Sequence, residues 1–306
     1  MKVVENRWKF VIIPALILVL GIVMYIVNGG FNFDVEFLGG TRMQVELNSE
    51  FDNDELAKLI LDKTGASTKI QKSGTSATQA IVKVQATENE DETKIDVMNT
   101  LKDEFQITDD ALISSSTASA SFGMETQRKA LMYTLLAIIC ILIYIAIRFE
   151  WRSAVMAVIA LAINVLIMAA VYTITNIPLN TTFIAAMLTV IGYSINNTIV
   201  IFDRIREDMK GRRKGNTVTE IVNKAVKETM GRTINSTITT LITILLIYIL
   251  GVSAIKEFAL PLIVGIVAGA YTSIFIASSF WAIWKESELK ARAEAAAERR
   301  SAKKSK

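Results

Sequence analysis

The chain has 306 residues, 52% of them hydrophobic and 21% charged, with a mean hydropathy of +0.40 and a formal net charge of +3. An ordinary soluble domain is excluded, because so much apolar surface has no place in water. The single cysteine, Cys140, lies inside an apolar run, which excludes a disulfide framework or a thiolate zinc site built from this chain alone, and the absence of histidine removes the commonest general base, metal ligand and proton shuttle.

Residues 1–9 form a short start carrying Lys2, Arg7 and Lys9. The apolar run 10–27 is close to the ~20 residues that cross a bilayer core. Asn28-Gly29-Gly30 lacks the small-residue pattern of a cleavage site, so residues 10–28 read as an uncleaved anchor. Residues 29–127 then switch between strand and helix periods, as a folded α+β domain does. Met43, Val45 and Leu47 alternate with Gln44 and Glu46 as a half-buried strand. Asp52 or Asn53 is a cap candidate for a helix with Leu56, Leu59 and Ile60 on its apolar side. Strands are expected at 68–71 and 80–85, then a helix with Ile95, Met98, Leu101 and Phe105 on one face, then a strand at 111–116. The order β-α-β-β-α-β is the ferredoxin-like split arrangement.

Residues 128–284 hold five further apolar runs, at 130–147, 154–175, 181–202, 234–250 and 258–284. The fold class expected is therefore a membrane α-helical bundle of six transmembrane helices with one α+β, ferredoxin-like domain between helices 1 and 2. Basic residues set the orientation. Besides the amino terminus, Arg148 and Arg152 sit between the second and third runs, and Arg204, Arg206, Lys210, Arg212, Arg213 and Lys214 between the fourth and fifth. Lys285, Lys290, Arg292, Arg299 and Arg300 follow the last run. Both termini are expected in the cytoplasm and residues 29–127 outside it. Within the loop 203–233, Val218, Ile221, Val222, Ala225 and Val226 recur at helical spacing and read as an interfacial helix. The basic tail 285–306 reads as a frayed helix or a solvated, disordered end, whose charge is open to anionic membrane lipid.

Polar groups inside a span are costly unless paired, so they are the first candidates for function. Asn164 lies near the middle of the third run, and the fourth contains Tyr193, Ser194, Asn196, Asn197 and Thr198. The fifth opens with Arg232 and carries Asn235, Ser236, Thr237, Thr239 and Thr240. Tyr193 and Asn197 share a helix side, as do Ser194 and Thr198. Asn164, Asn197 and Arg232, with Ser194, Asn196 and Thr237, are candidates for a functional centre at the interface of the third, fourth and fifth spans. Two bland readings stand beside this one. Serine, threonine and asparagine on membrane helices also act as interhelical hydrogen-bond glue, and Arg232 also suits an interfacial, snorkelling position. Gly265 and Gly269 suit close helix packing. The sequence holds no nucleophile constellation, metal cluster or phosphate-cradling loop, so neither enzymatic activity, nor a cofactor, nor a nucleic-acid partner is expected.

Residues 192–207, which include Gly192, Tyr193, Ser194, Asn196, Asn197, Asp203, Arg204, Arg206 and Glu207, closely resemble the fourth-span signature of the SecF family. Arg148-Phe149-Glu150-Trp151-Arg152 resembles its second-to-third loop, Arg232-Thr233 and the following threonine-rich stretch its fifth span, and Asn32-Phe33 through Gly39-Gly40 its post-anchor motif. The resemblance implies a multi-pass protein of the bacterial plasma membrane, within the RND superfamily. It implies partnership with SecD and with the SecY, SecE and SecG channel, and a role in drawing a translocating polypeptide outward on an ion gradient. The chain departs from the pattern at four places. Asn197 and Asn164 stand where aspartates are usual, Glu36 replaces an aspartate, and Asp34 replaces a glycine. Neither amide carries a proton near neutral pH. Half of a small-molecule or lipid exporter, and a non-coupling scaffold for SecD, remain as alternatives.

Overall fold

The computed structural model describes residues 1–73, 78–87, 89–148, 150–211 and 216–304. Phe149, Arg212, Arg213 and Lys214 of the expected motifs lie outside the described residues, as do the side chains of Arg148 and Arg299. Six helices among the described residues are long and apolar enough to span a bilayer. The first is α1 (Arg7–Val27), which buries Gly21 against Ala170 while Thr173 Oγ1 donates to the Gly21 carbonyl at 3.1 Å.

A short helix, α2 (Val35–Leu38), follows the anchor and was not foreseen, because four residues are too few to show a period. The α/β domain then runs β1 (Gly40–Glu46), α3 (Asn53–Thr64), β2 (Thr68–Ser73), β3 (Gln79–Val84), α4 (Glu90–Phe105) and β4 (Leu112–Ala118). Its four strands lie in the order β2-β3-β1-β4, every neighbouring pair antiparallel. Asp52 caps α3 by accepting from the amides of Asp54 and Glu55, and Gly65 ends it at φ +68°, a left-handed backbone that suits glycine. Met43, Val45, Leu56, Ile60, Val97 and Leu101 form a core of its own, distinct from that of the bundle. On α4 the buried face carries Val97 in place of the expected Ile95, which is exposed; at about 100° per residue Val97 falls closer to Leu101 around the helix than Ile95 does.

The second spanning helix, α5 (Ala120–Arg148), starts ahead of the expected residue 130, so residues 120–127 belong to a helix that continues into the span. Its first turns pack on α2. Gln127 Nε2 donates to the Phe37 carbonyl at 2.6 Å, and a Cβ on Gly123 would meet that carbonyl oxygen at 2.7 Å. The bundle continues with α6 (Trp151–Thr175), α7 (Thr181–Lys210), α8 (Val218–Leu250), α9 (Ser253–Tyr271), a π-helical segment (Thr272–Ala277) and α10 (Ser278–Lys304). The separate interfacial helix does not form. Thr217 and Glu220 make a reciprocal capping box, and α8 runs unbroken from there through the fifth span. Val218, Val222, Ala225 and Val226 are buried in the bundle core with Phe202, Trp281 and Ala282, so this stripe meets protein in place of lipid headgroups. The described part of the tail is helical through Lys304, its alanine, glutamate, lysine and arginine residues all being good helix formers. Large exposed apolar side chains concentrate on α1, α5 and α8, the faces left for lipid or a partner helix.

Candidate functional site

The buried middle of the bundle is polar where α6, α7 and the π-helical segment meet. Asn164 donates through Nδ2 to Ser194 Oγ at 2.7 Å and accepts from Thr272 Oγ1 at 2.8 Å, and all three residues are fully buried. One turn further on, Thr198 and Ser273 share a hydroxyl hydrogen bond of 2.7 Å. Small residues make this approach possible. A Cβ on Gly265 would sit 2.5 Å from Val190 Cγ2, and one on Gly269 would sit 3.0 Å from Ser194 Cβ. The four-residue glycine spacing thus brings α9 onto the polar face of α7. The π segment begins at Thr272, where the helix presents Thr272 and Ser273 inward, a placement common for π-bulges at functional sites.

The expected three-residue centre divides. Asn164 and Ser194 are joined, whereas Arg232 is exposed and lines a separate groove of about 760 Å3 with Asn196, Asp203, Arg204, Arg206 and Glu207. A helix turns Asn196 and Asn197 some 100° apart. Asn196 therefore faces the groove, and Asn197 is buried. The Nδ2 of Asn197 and the Oγ1 of Thr233 on α8 are both shielded without a hydrogen-bond partner among the described residues. On the same side Tyr193 donates to Thr237 Oγ1 at 3.3 Å, while Thr237 back-bonds to the Thr233 carbonyl at 2.7 Å. At the groove rim Arg204 pairs with Glu207 at 2.7 Å and with Glu228. Gly192 faces open space.

A second charged cluster was not foreseen from the sequence. Where the α/β domain meets the bundle, Asp34 is buried between Arg42 and Lys83, each 3.4 Å away, and Arg42 also reaches Glu257 at 2.8 Å. Burial lowers the Lys83 pKa, with the attraction of Asp34 opposing the shift. Glu36, in the same post-anchor motif, accepts from the Thr181 amide at 3.0 Å and from its hydroxyl at 2.6 Å. The signals available were Glu257, an acid beside an apolar run, and Arg42 and Lys83, charges inside strand patterns. Thr272 and Ser273 were likewise missed, although a hydroxyl pair within the last apolar run marks the place.

Six apolar helices around a buried hydroxyl and amide cluster, with an α/β domain inserted after the first, define a polytopic helical membrane protein. Residues 97–287 match the family described as protein export membrane protein SecD/SecF, C-terminal, and the chain belongs to that family. It is 35% identical to the protein translocase subunit SecF of Alicyclobacillus acidocaldarius over 93% of this chain and 92% of that one. Against the protein translocase subunit SecDF of Bacillus subtilis the identity is 34%, over 94% of this chain but 38% of the longer relative. The crystal structure of SecDF from Thermus thermophilus, described as a translocon-associated membrane protein, superposes with a TM-score of 0.82 at 30% identity, covering 93% of this chain and 38% of that one. The family role is protein translocation.

Proposed function

We propose that this chain is the SecF-type subunit of a protein-export complex, that it works beside a SecD-type partner, and that together they assist ion-gradient-driven movement of polypeptide through the SecYEG channel. The observation that carries the reading is the likeness to SecF along nearly the whole of both chains. The longer SecDF relatives, in which the matching region is 38% of the length, support a SecD-like neighbour. The distribution of Lys and Arg supports cytoplasmic termini and an α/β domain on the outer side, in a bacterial plasma membrane. The strand order β2-β3-β1-β4 with two intervening helices supports the ferredoxin-like description of that domain.

Asn164 has hydrogen bonds on both sides of its amide, which favours a structural role for it and lends weight to a scaffold reading at that position. Asn197 and Arg232 remain the candidates for coupling. An amide cannot bind and release a proton near neutral pH, so a titrating carboxylate at the level of Asn164 and Asn197 has to come from the partner, while the groove that holds Arg232 as a fixed charge carries its own Asp203, Glu207 and Glu228. Affinity purification from mild detergent tests the assembly, with co-elution of SecD and SecY expected and the absence of both contradicting it. In intact cells, a Ser115→Cys probe is expected to react without permeabilisation. Arg232→Ala is expected to impair export at unchanged abundance, and normal export would remove the residue from the coupling role.

A further inference from the structure

Pro14 sits inside α1, and a proline there has no amide to give to the carbonyl four residues before it, that of Phe10. Tyr271, the last residue of α9, donates its hydroxyl to that carbonyl at 2.9 Å, and the Phe10 ring stacks on Phe275 at 4.3 Å. The amino-terminal half of α1 is thus fastened to the π-helical segment, whose Thr272 and Ser273 reach Asn164 and Thr198 in the polar cluster.

Beside this fastening runs a groove of about 260 Å3 with wholly apolar walls. α1 gives it Val11, Pro14, Ala15 and Leu18, one stripe at helical spacing, and Ile159 and Ile163 of α6 lie across from them. Ile276 and Ala277 of the π-helical segment and Phe280 of α10 complete the wall. A second apolar groove of about 230 Å3 shares Leu18 and carries on along the α1–α6 seam to Tyr25. From Val11 to Tyr25 α1 rises about 21 Å, more than the ~15 Å hydrocarbon depth of one leaflet. Volume over length then selects the occupant. Spread over the ~10 Å of helix between Val11 and Leu18, 260 Å3 gives a cross-section of about 25 Å2, whereas a helix with its side chains needs about 80 Å2. The groove has the girth of one hydrocarbon chain.

The stripe continues past the groove onto Arg7 and Trp8, four and three residues before Val11. Trp8 meets Phe280 edge-on at 5.9 Å, and an aromatic at the end of a span suits the headgroup level. Arg7 gives Nη1 to the Val4 carbonyl and makes no ion pair among the described residues, so its remaining donors suit a phosphate. Glu5, the acid nearest in sequence, is engaged by Asn223 Nδ2 at 2.9 Å.

We propose that this groove seats one anionic phospholipid, with an acyl chain along the α1–α6 seam against Ile276 and Ala277 and its phosphate on Arg7. A chain so placed braces the π-helical segment from the side opposite its hydroxyl pair, and thereby the cluster around Asn164.

Native mass spectrometry of the full chain in detergent tests this, with phosphatidylglycerol and phosphatidylcholine as probes. One phosphatidylglycerol per chain should be retained in preference to phosphatidylcholine, and it should raise the melting temperature. Ala15→Phe, which fills the groove, should cut retention about tenfold, whereas Leu16→Phe on the exposed side of α1 should leave it unchanged. Ile159→Trp blocks the groove from the other wall and should act as Ala15→Phe does. Arg7→Gln should weaken phosphatidylglycerol about threefold and remove the preference over phosphatidylcholine. A phosphatidylglycerol carrying a diazirine on its chain should label α6 and residues 276–280. Equal retention by Ala15→Phe, Ile159→Trp and Leu16→Phe, or labelling confined to α5 and α8, overturns the proposal. So does displacement by glycerophosphoglycerol, the headgroup without chains, which would mark a site for free phosphate esters. Loss of the lipid when SecD is added would overturn it too, by making the groove a helix–helix interface.

Discussion

Arg42 on β1 donates through Nη2 to Glu257 Oε1 at 2.8 Å, and this contact ties the α/β domain to the N-terminal part of α9. The two bodies keep separate apolar cores, so their junction leans on polar contacts such as this pair and the Glu36 to Thr181 bonds. Removing one partner of a buried pair strands the other charge, which costs more than the pair itself contributes.

Glu257→Ala should destabilise the docked domain by about 2 kcal/mol, at the low end for buried pairs because both side chains keep some solvent contact. Replacing both residues together, Arg42→Met with Glu257→Leu, should cost less than Glu257→Ala alone. Thermal unfolding and limited proteolysis of the purified chain measure both, and equal midpoints for wild type and Glu257→Ala would show that the pair does not hold the junction.

Lys83 gives the junction a pH dependence whose sign follows from burial. Its folded pKa lies below the ordinary 10.5, so the unfolded chain binds its proton more tightly. The cost of burying the charge is then relieved as pH rises from the folded value toward 10.5, and the Lys83 contribution to stability increases across that window. Wild type should gain on Lys83→Met as the pH is raised in this range. A difference between the two proteins that is flat with pH would contradict the shift.

The glycines of the bundle should separate into two kinds. Gly265→Ala drives a methyl to 2.5 Å from Val190 and 3.0 Å from Met168 Sδ, which predicts a loss of about 2 kcal/mol from overpacking. Gly192→Ala meets nothing within 4 Å and should be neutral or gain up to about 1 kcal/mol from helix propensity. Melting temperatures of the two variants in one detergent provide the comparison, and equal values would disprove the contact.

The two asparagines should behave oppositely. Asn164→Leu removes two interhelical hydrogen bonds and leaves Ser194 and Thr272 without it, a cost of about 2 kcal/mol that lowers abundance. Asn197→Leu removes an amide whose Nδ2 has no partner among the described residues, so stability should hold or improve while export falls. Normal export with Asn197→Leu at normal abundance would end the coupling proposal for this residue.

Apolar run length and helix or strand period were sufficient to expect six spanning helices and the element order of the α/β domain, because both follow from what each segment must hide from water. A cap at Asp52 or Asn53, which the structure resolves to Asp52, and Gly265 with Gly269 as a packing seam were equally legible, since their effects act within one turn or one stripe. The sequence did not reveal that residues 218–250 form one helix, because an apolar stripe reads the same whether it meets headgroups or Phe202 and Trp281. Nor did it show that Asn164 finds Thr272, 108 positions away, or that Arg42 finds Glu257, 215 positions away. A polar side chain records that it needs a partner, and only the packing of distant segments decides which group fills that need. The same holds for neighbours in the chain: a turn of about 100° sends Asn196 to an open groove and Asn197 into the bundle, and the faces acquire those meanings only once α8 and α9 are in place.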